Sequence, residues 1–335
     1  MFGPRAGPVP TTLSLVLVRP PQPAPPRLDD LLGPEFLRRL DRLDVISRKV
    51  FAGKLPGERR SKRRGHSVEF DDFRPYTPGD DLRHIDWHVL ARLDRLVVKL
   101  FRAEEDLGVR VVLDTSPSMR AGDPLKVLTG ARLAMAIGYI GLVNNDRVSA
   151  VEFGGPRGYR AMTPVRGRRH TQRLGRFLLE ALGARAPEAP SRPMPLNEAL
   201  RRIAIDTRGG SGLVVVISDF LDRSGVKPGL DALAARGQFD VVCVQTLSPG
   251  ELDPALEAGA GLVGDLRLTD AESGPDAEVT LTGVLIRKYR DRLDRFVADL
   301  SGACAARGMT HLLVRSDADI ADLIERSLRS RGVLG

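Results

Sequence analysis

Aromatic side chains are scarce in this chain. One tryptophan, four tyrosines and eleven phenylalanines make up 5% of its 335 residues, so stacking platforms for nucleic-acid bases are few. Cysteine is rarer still, with Cys243 and Cys304 alone. Cys243 falls in an apolar, strand-like run and Cys304 in a helical one. The expectation is two buried free thiols of a reducing compartment rather than a disulfide. No stretch approaches the roughly 20 apolar residues of a membrane span. The apolar part of residues 11–18 is short and crowded by prolines, and the PPQPAPPR that follows offers no small-residue cleavage site for a signal peptide. Residues 1–27 therefore read as a disordered, proline-rich leader. A G-x-x-x-x-G-K-[ST] phosphate loop is missing, which excludes an ATPase of that type. So is the G-x-S-x-G elbow of a serine hydrolase.

What is present is an ordinary globular balance, 42% apolar and 28% charged, with length enough for a large core. The net charge of +8 permits contact with nucleic acid, anionic lipid or an acidic protein surface without choosing among them. Residues 28–51 carry leucines at threes and fours, the spacing of a helix. A basic run, KLPGERRSKRRGH (54–66), and a polar, turn-rich segment follow, ending in a strand-like LVVKLF at 96–101. Beyond Gly108 strands alternate with helices. Strands are expected at 109–113, 148–153, 213–217, 241–247 and 310–314. Helices are expected at 125–143, 170–182, 196–205, 227–235, 284–307 and 320–329, with a hairpin-like pair at 262–268 and 279–282. That alternation predicts an α/β domain, a mostly parallel sheet with helices on both faces. The chain divides into a leader (1–27), a helix plus turn-rich segment (28–100) and the α/β domain (101–335).

The chemistry-bearing residues concentrate where strands end. The apolar run from Val109 to Leu113 stops at Asp114, with Ser116 and Ser118 following in DTSPSM. One carboxylate and two hydroxyls on a tight turn can face a common centre, and hard oxygen donors suit Mg²⁺. The competing reading is a helix cap, although the next helix starts several residues later. Asp219 ends the strand LVVVISDF, at the same edge of the sheet. Ligands of open α/β sheets bind at that edge.

DTSPSM and VVVISDF together resemble a von Willebrand factor A-type domain with its metal-ion-dependent adhesion site. The resemblance implies Asp114, Ser116, Ser118 and Asp219 as the shell of a Mg²⁺ ion whose open position accepts an acidic side chain from a partner. The family also uses a threonine before a central helix. Here that run is MPLNEAL (194–200), and Met194 stands where the threonine is expected. A thioether is a poor Mg²⁺ ligand; Thr163, on another loop, is the remaining candidate.

A second, longer pattern lies upstream. Gly65, Glu69 and Phe70 are followed by Arg74, Tyr76, Pro78, Gly79, Asp80, Asp81, Arg83, Ile85, Asp86 and Trp87, then Ala91 and Arg92. This resembles the signature of the bacterial family catalogued as domain of unknown function 58, over about residues 40–270. In physical terms Arg74, Arg83 and Arg92 stand among Asp80, Asp81 and Asp86. The expectation is a salt-bridged brace anchored by Trp87 around a turn at residues 76–79, with a partner-binding edge as the alternative. Members of that family are often encoded beside MoxR-type AAA+ ATPases. The resemblance therefore implies a non-catalytic adaptor or co-chaperone working with such an ATPase on an unidentified client protein; many relatives carry N-terminal membrane spans, and the lack of one in this sequence makes a cytoplasmic protein the expectation.

Three other chemistries have weaker footing. Arg59–Arg64 is basic enough to touch nucleic acid but lacks interleaved aromatics. His170 would be the base of a metal-dependent hydrolase at Asp114. His84 and His88 have the i, i+4 spacing of zinc ligands but no third partner nearby.

Overall fold

The computed structural model describes residues 27, 31–46, 70–101, 107–183, 194–207, 211–222, 224–235, 239–254, 265–269, 276–280 and 283–335. Residues 1–26 of the leader, the Arg59–Arg64 run, and Gly65 and Glu69 of the signature lie outside them. The chain falls into two compact units, one of residues 1–52 with 107–335, the other of residues 53–106.

In the larger unit the order of elements is α1 (Pro34–Leu40), β3 (Leu107–Asp114), α3 (Lys126–Val143), β4 (Arg147–Phe153), β5 (Arg160–Ala161), α4 (Thr171–Leu182), α5 (Leu196–Asp206), β6 (Ser211–Ser218), α6 (Lys227–Ala234), β7 (Phe239–Leu247), a hairpin of β8 (Asp265–Thr269) and β9 (Asp276–Thr280), α7 (Gly283–Ala305), β10 (Thr310–Arg315) and α8 (Ile320–Asp322), which runs on as a π-helical segment, Leu323–Leu328. Six strands form one sheet in the order β10-β7-β6-β3-β4-β5. All neighbours are parallel except β5, a short antiparallel edge strand on β4. From β3 the chain winds outward to β4. It then returns to the other side of β3 for β6, β7 and β10. The winding direction therefore reverses between β3 and β6, which is the topological switch point of a doubly wound sheet.

Burial on both faces explains why these strands are apolar runs rather than alternating ones. Val109, Val111 and Leu113 of β3 face one core, with α1, α3, α4 and the C-terminal segment packed over it. Val112, Val214, Val216 and Cys243 face the other, under α5, α6 and α7. α3 is apolar around nearly its whole circumference because it sits inside the first core; Leu133, Ile137 and Ile140 are essentially inaccessible. Each such side chain contributes roughly 1.5–3 kcal/mol of transfer free energy. Among the described residues α3 alone is long and apolar enough to cross a membrane, and 83% of it is buried inside the protein. Cys243 and Cys304 are free and buried, as expected.

The long helix expected over 28–51 is a correction. Helix α1 spans Pro34–Leu40, with proline in its first turn. Val45 then pairs with Leu334 as an antiparallel bridge, and Ile46 N–H donates to Val333 O. The leucine spacing suited a helix, but the C-terminal residues claim the backbone of 44–46 instead. Residues 47–51 lie outside the described set.

The smaller unit pairs β1 (Phe70–Pro75) antiparallel with β2 (Val97–Phe101) and carries a one-turn 3₁₀ segment, Leu82–His84, and helix α2 (Trp87–Leu93) between them. The expected brace is present in part. Arg74 forms a two-pronged pair with Asp80 at 2.7 Å on each arm, and Thr77 N–H donates to the same carboxylate. Gly79 closes that turn with φ of 108°, and Tyr76 N–H donates to Leu96 O. Arg83 pairs with Asp81, whose carboxyl the guanidinium holds down to about 2. Asp86 does not meet an arginine: it caps α2 through His88 and Val89 N–H and pairs with Lys99 at 3.0 Å. Trp87 is a second correction. It is 61% exposed. Arg92 lies on the exposed side of the same helix.

Candidate site at the switch point of the sheet

The carboxyl ends of β3 and β6 bring the predicted residues to one place. Asp114 is the last residue of β3, and its Oδ1 accepts from Ser116 N–H at 2.9 Å, folding the chain back at once. Ser116 Oγ and Ser118 Oγ lie 3.1 Å apart. Ser218, the last residue of β6, donates its hydroxyl to Asp114 Oδ2 at 2.6 Å. Thr115 is tied to the end of β4, with both its N–H and its hydroxyl donating to Phe153 O at 2.8 Å. Gly154, with φ of 78°, passes so close that a Cβ there would lie 2.7 Å from Asp114 Oδ1. Arg120 fastens the same loop to α4, donating to Thr115 O and to the C-terminal carbonyls of Ala181 and Leu182.

A cleft of about 290 Å³ opens over this turn. Asp114, Ser116, Ser218 and Asp222 supply its polar wall; Phe153, Met194, Pro195, Leu196 and Leu221 supply an apolar one. Met194 thus does line the site, at the position where the resemblance expects a threonine. Thr163 does not replace it, since it accepts from Arg173 and is not a lining residue. His170, the residue before α4, is also absent from the lining. Among the described residues, no group of three or more His, Cys, Asp or Glu is placed to hold a metal, so His84 and His88 have no zinc-like company.

Asp219 takes a different course from the other three. Its Oδ1 accepts from Leu221 N–H, and its Oδ2 accepts from Lys126 Nζ at 2.9 Å. The same ammonium donates to Glu251 Oε1 at 2.5 Å. Burial alone would push Lys126 down, but the Asp219 and Glu251 carboxylates outweigh it and hold the ammonium above its usual range. Burial, then the neighbouring charge of Asp219, pushes Asp114 up to about 7 against the hydrogen bonds from Ser218 and Ser116.

Asp114 and Ser116 on the cleft wall, with the Ser118 hydroxyl 3.1 Å from that of Ser116, are donors of the hard-oxygen type that a divalent cation takes. Asp222 adds a buried Oδ2 that makes no hydrogen bond to any described residue. Asp219 differs from Asp114 in that an ammonium, Lys126, is already paired with it, and it does not line the cleft. Lys126, Glu251, Ser218 and Asp222 are the members that sequence reasoning missed. One local signal existed for Glu251: Ser248-Pro-Gly-Glu251 is a capping box, and the structure shows both of its reciprocal bonds. Nothing local connects that box to β6.

The profile of the family described as "Protein of unknown function DUF58" matches residues 72–299. An uncharacterized protein of Mycobacterium tuberculosis is 29% identical over 329 residues, covering 95% of this chain and 96% of its own length. Among solved structures, the conserved hypothetical protein BatB from Bacteroides thetaiotaomicron aligns with a TM-score of 0.38 at 14% identity, covering 68% of this chain and 98% of that one. A von Willebrand factor type A protein from Catenulispora acidiphila aligns with a TM-score of 0.37 at 15% identity, covering 71% and 44% respectively.

Proposed function

The chain belongs to the DUF58 family, and we propose that it works as a non-catalytic protein-interaction adaptor that docks an acidic side chain of its partner in the cleft between β3 and β6. The observation that carries this reading is the convergence of Asp114 and Ser116, from one turn, on the wall of an open cleft at the switch point of the sheet, with the buried Ser118 hydroxyl 3.1 Å from that of Ser116. Mg²⁺ held by these three residues would supply a Lewis-acidic coordination position for the incoming carboxylate. The chain's own residues do the rest. Ser116 N–H and the Ser218 hydroxyl fix both oxygens of Asp114 in direction. Phe153, Met194, Leu196 and Leu221 offer apolar surface to the stem of the docking side chain, excluding water from the polar floor.

On the resemblance to relatives encoded beside MoxR-type AAA+ ATPases, we assign such an ATPase as the partner. The role is then that of an adaptor or co-chaperone in the cytoplasm, acting on a client protein. The test is direct binding of the purified MoxR-type ATPase from the same genome to the immobilised full chain in Mg²⁺ buffer. Asp114→Ala is expected to weaken capture by about tenfold or more, the scale of a central interface residue. Equal capture by wild type and Asp114→Ala would remove the cleft from the interface.

A further inference from the structure

Lys126 is the first residue of α3 and is wholly inaccessible to solvent. Its position needs an explanation. An ammonium in the first turn opposes the helix macrodipole, and a buried cation is costly unless it is paired. The pairing is complete and built from distant parts of the chain: Asp219, just past the end of β6, through Oδ2 at 2.9 Å, and Glu251, in the one-turn helix Pro249–Leu252 after β7, through Oε1 at 2.5 Å. Glu251 is itself pre-set, because its Oε2 accepts from Ser248 N–H at 2.7 Å, and Tyr289 from α7 donates its hydroxyl to Glu251 O. The arrangement places one ammonium between two buried carboxylates, Asp219 and Glu251, and Asp219 in turn stands close enough to Asp114 for their charges to interact.

We propose that Lys126 is the resident counter-ion of the cleft: it occupies Asp219 in place of a divalent cation, so that Asp219 is a positioning residue rather than a ligand and intrinsic cation affinity is set low. This rests on the docking reading above and deepens it. A cation held by Asp114, Ser116 and Ser118 alone lacks the second carboxylate that would balance its charge. The partner's acidic side chain supplies that carboxylate, so cation and partner bind together more tightly than either does alone. Coupling of this kind is reciprocal: the partner raises cation affinity by the factor by which the cation raises partner affinity.

Calorimetric titration with MnCl₂ as the probe, on the full chain, tests the point. Lys126→Met with Glu251→Gln removes one charge of each sign, so it frees Asp219 without changing the net charge of the site. Lys126→Gln keeps amide donors for both carboxylates and serves as the second variant. Folding of each is checked by circular dichroism. At least about a tenfold gain in Mn²⁺ affinity over wild type is expected, because the freed Asp219 offers the ion a second carboxylate. Adding Asp219→Asn is expected to erase the gain. A folded variant with wild-type affinity, or a gain that survives Asp219→Asn, overturns the proposal. The wild-type structure at saturating Mn²⁺ tests it without any variant: Asp219 stays on Lys126 if the proposal holds, and Asp219 coordinating Mn²⁺ with Lys126 displaced overturns it. Failure of the docking reading has a different signature, which is unchanged partner capture by Asp114→Ala whatever the cation affinities.

Discussion

Gly154→Ala probes how tightly the site is built. Gly154 has φ of 78°, and a Cβ there would stand 2.7 Å from Asp114 Oδ1 and 3.1 Å from Ser116 Cβ. Two costs add. An alanine in the left-handed region costs about 1–2 kcal/mol. The Asp114 carboxylate must also move by a few tenths of an ångström, loosening its bonds to Ser116 N–H and Ser218 Oγ. Each bond to a charged acceptor is worth about 1.5–3 kcal/mol, of which a fraction is lost. The expected total is about 2–3 kcal/mol. Gly225→Ala is the matched control, because Gly225 has φ of 74° and its Cβ would meet nothing within 4 Å. It should lose about 1–2 kcal/mol, the backbone cost alone. Urea denaturation of both variants, compared at constant m, should show Gly154→Ala the less stable by about 1 kcal/mol, the loosened share of those bonds. Equal losses would mean that Gly154 does not press on Asp114, and the tight turn described here would be wrong.

Stability should also depend on pH through Asp114. An acid whose pKa folding raises binds its proton more tightly in the folded state, so its contribution is best at low pH and declines as pH rises from about 4 toward about 7. The slope is at most about 1.4 kcal/mol per pH unit; Asp114→Asn should flatten it between pH 5 and 7, and identical pH profiles of the two proteins would contradict the burial of this carboxyl. Arg120→Ala unties the site loop from the C-terminus of α4 and should cost about 2 kcal/mol in urea denaturation, in line with lost hydrogen bonds to a charged group; a loss under a few tenths would place the anchor elsewhere. Arg74→Lys exchanges a two-pronged pair with Asp80 for a point contact. With Arg74 41% exposed, global stability should hardly change, while amide exchange at Thr77 and Asp80 should quicken; unchanged exchange there would show that the pair does not hold the turn.

Much of the architecture is legible in local pattern. Val109–Leu113 and Leu213–Ile217 read as buried strands because β-branched runs ended in polar turns, and 125–143 read as a helix because its apolar character had length. The DxSxS turn was legible for the same reason: its ligand-type oxygens are adjacent in sequence. What was not legible depends on partners far away. Lys126 is 93 residues from Asp219 and 125 from Glu251, so no window joins them. The leucines of 28–51 kept their spacing, yet Val45 pairs with Leu334. Strand β1, FDDFRP, has two aspartates and a proline. It is a strand only because β2 pairs with it, and proline is tolerated because a two-stranded sheet is all edge. Trp87 was expected to anchor the brace as the chain's one tryptophan, yet it is 61% exposed.

The central claim is that the turn Asp114-Ser116-Ser118 holds a divalent cation for a docking carboxylate. Its most direct test is Mn²⁺ titration by calorimetry on wild type and Asp114→Ala. Weak, saturable binding at one site in wild type, lost in Asp114→Ala, is the predicted result. No binding by wild type, or the same isotherm from both proteins, would contradict it.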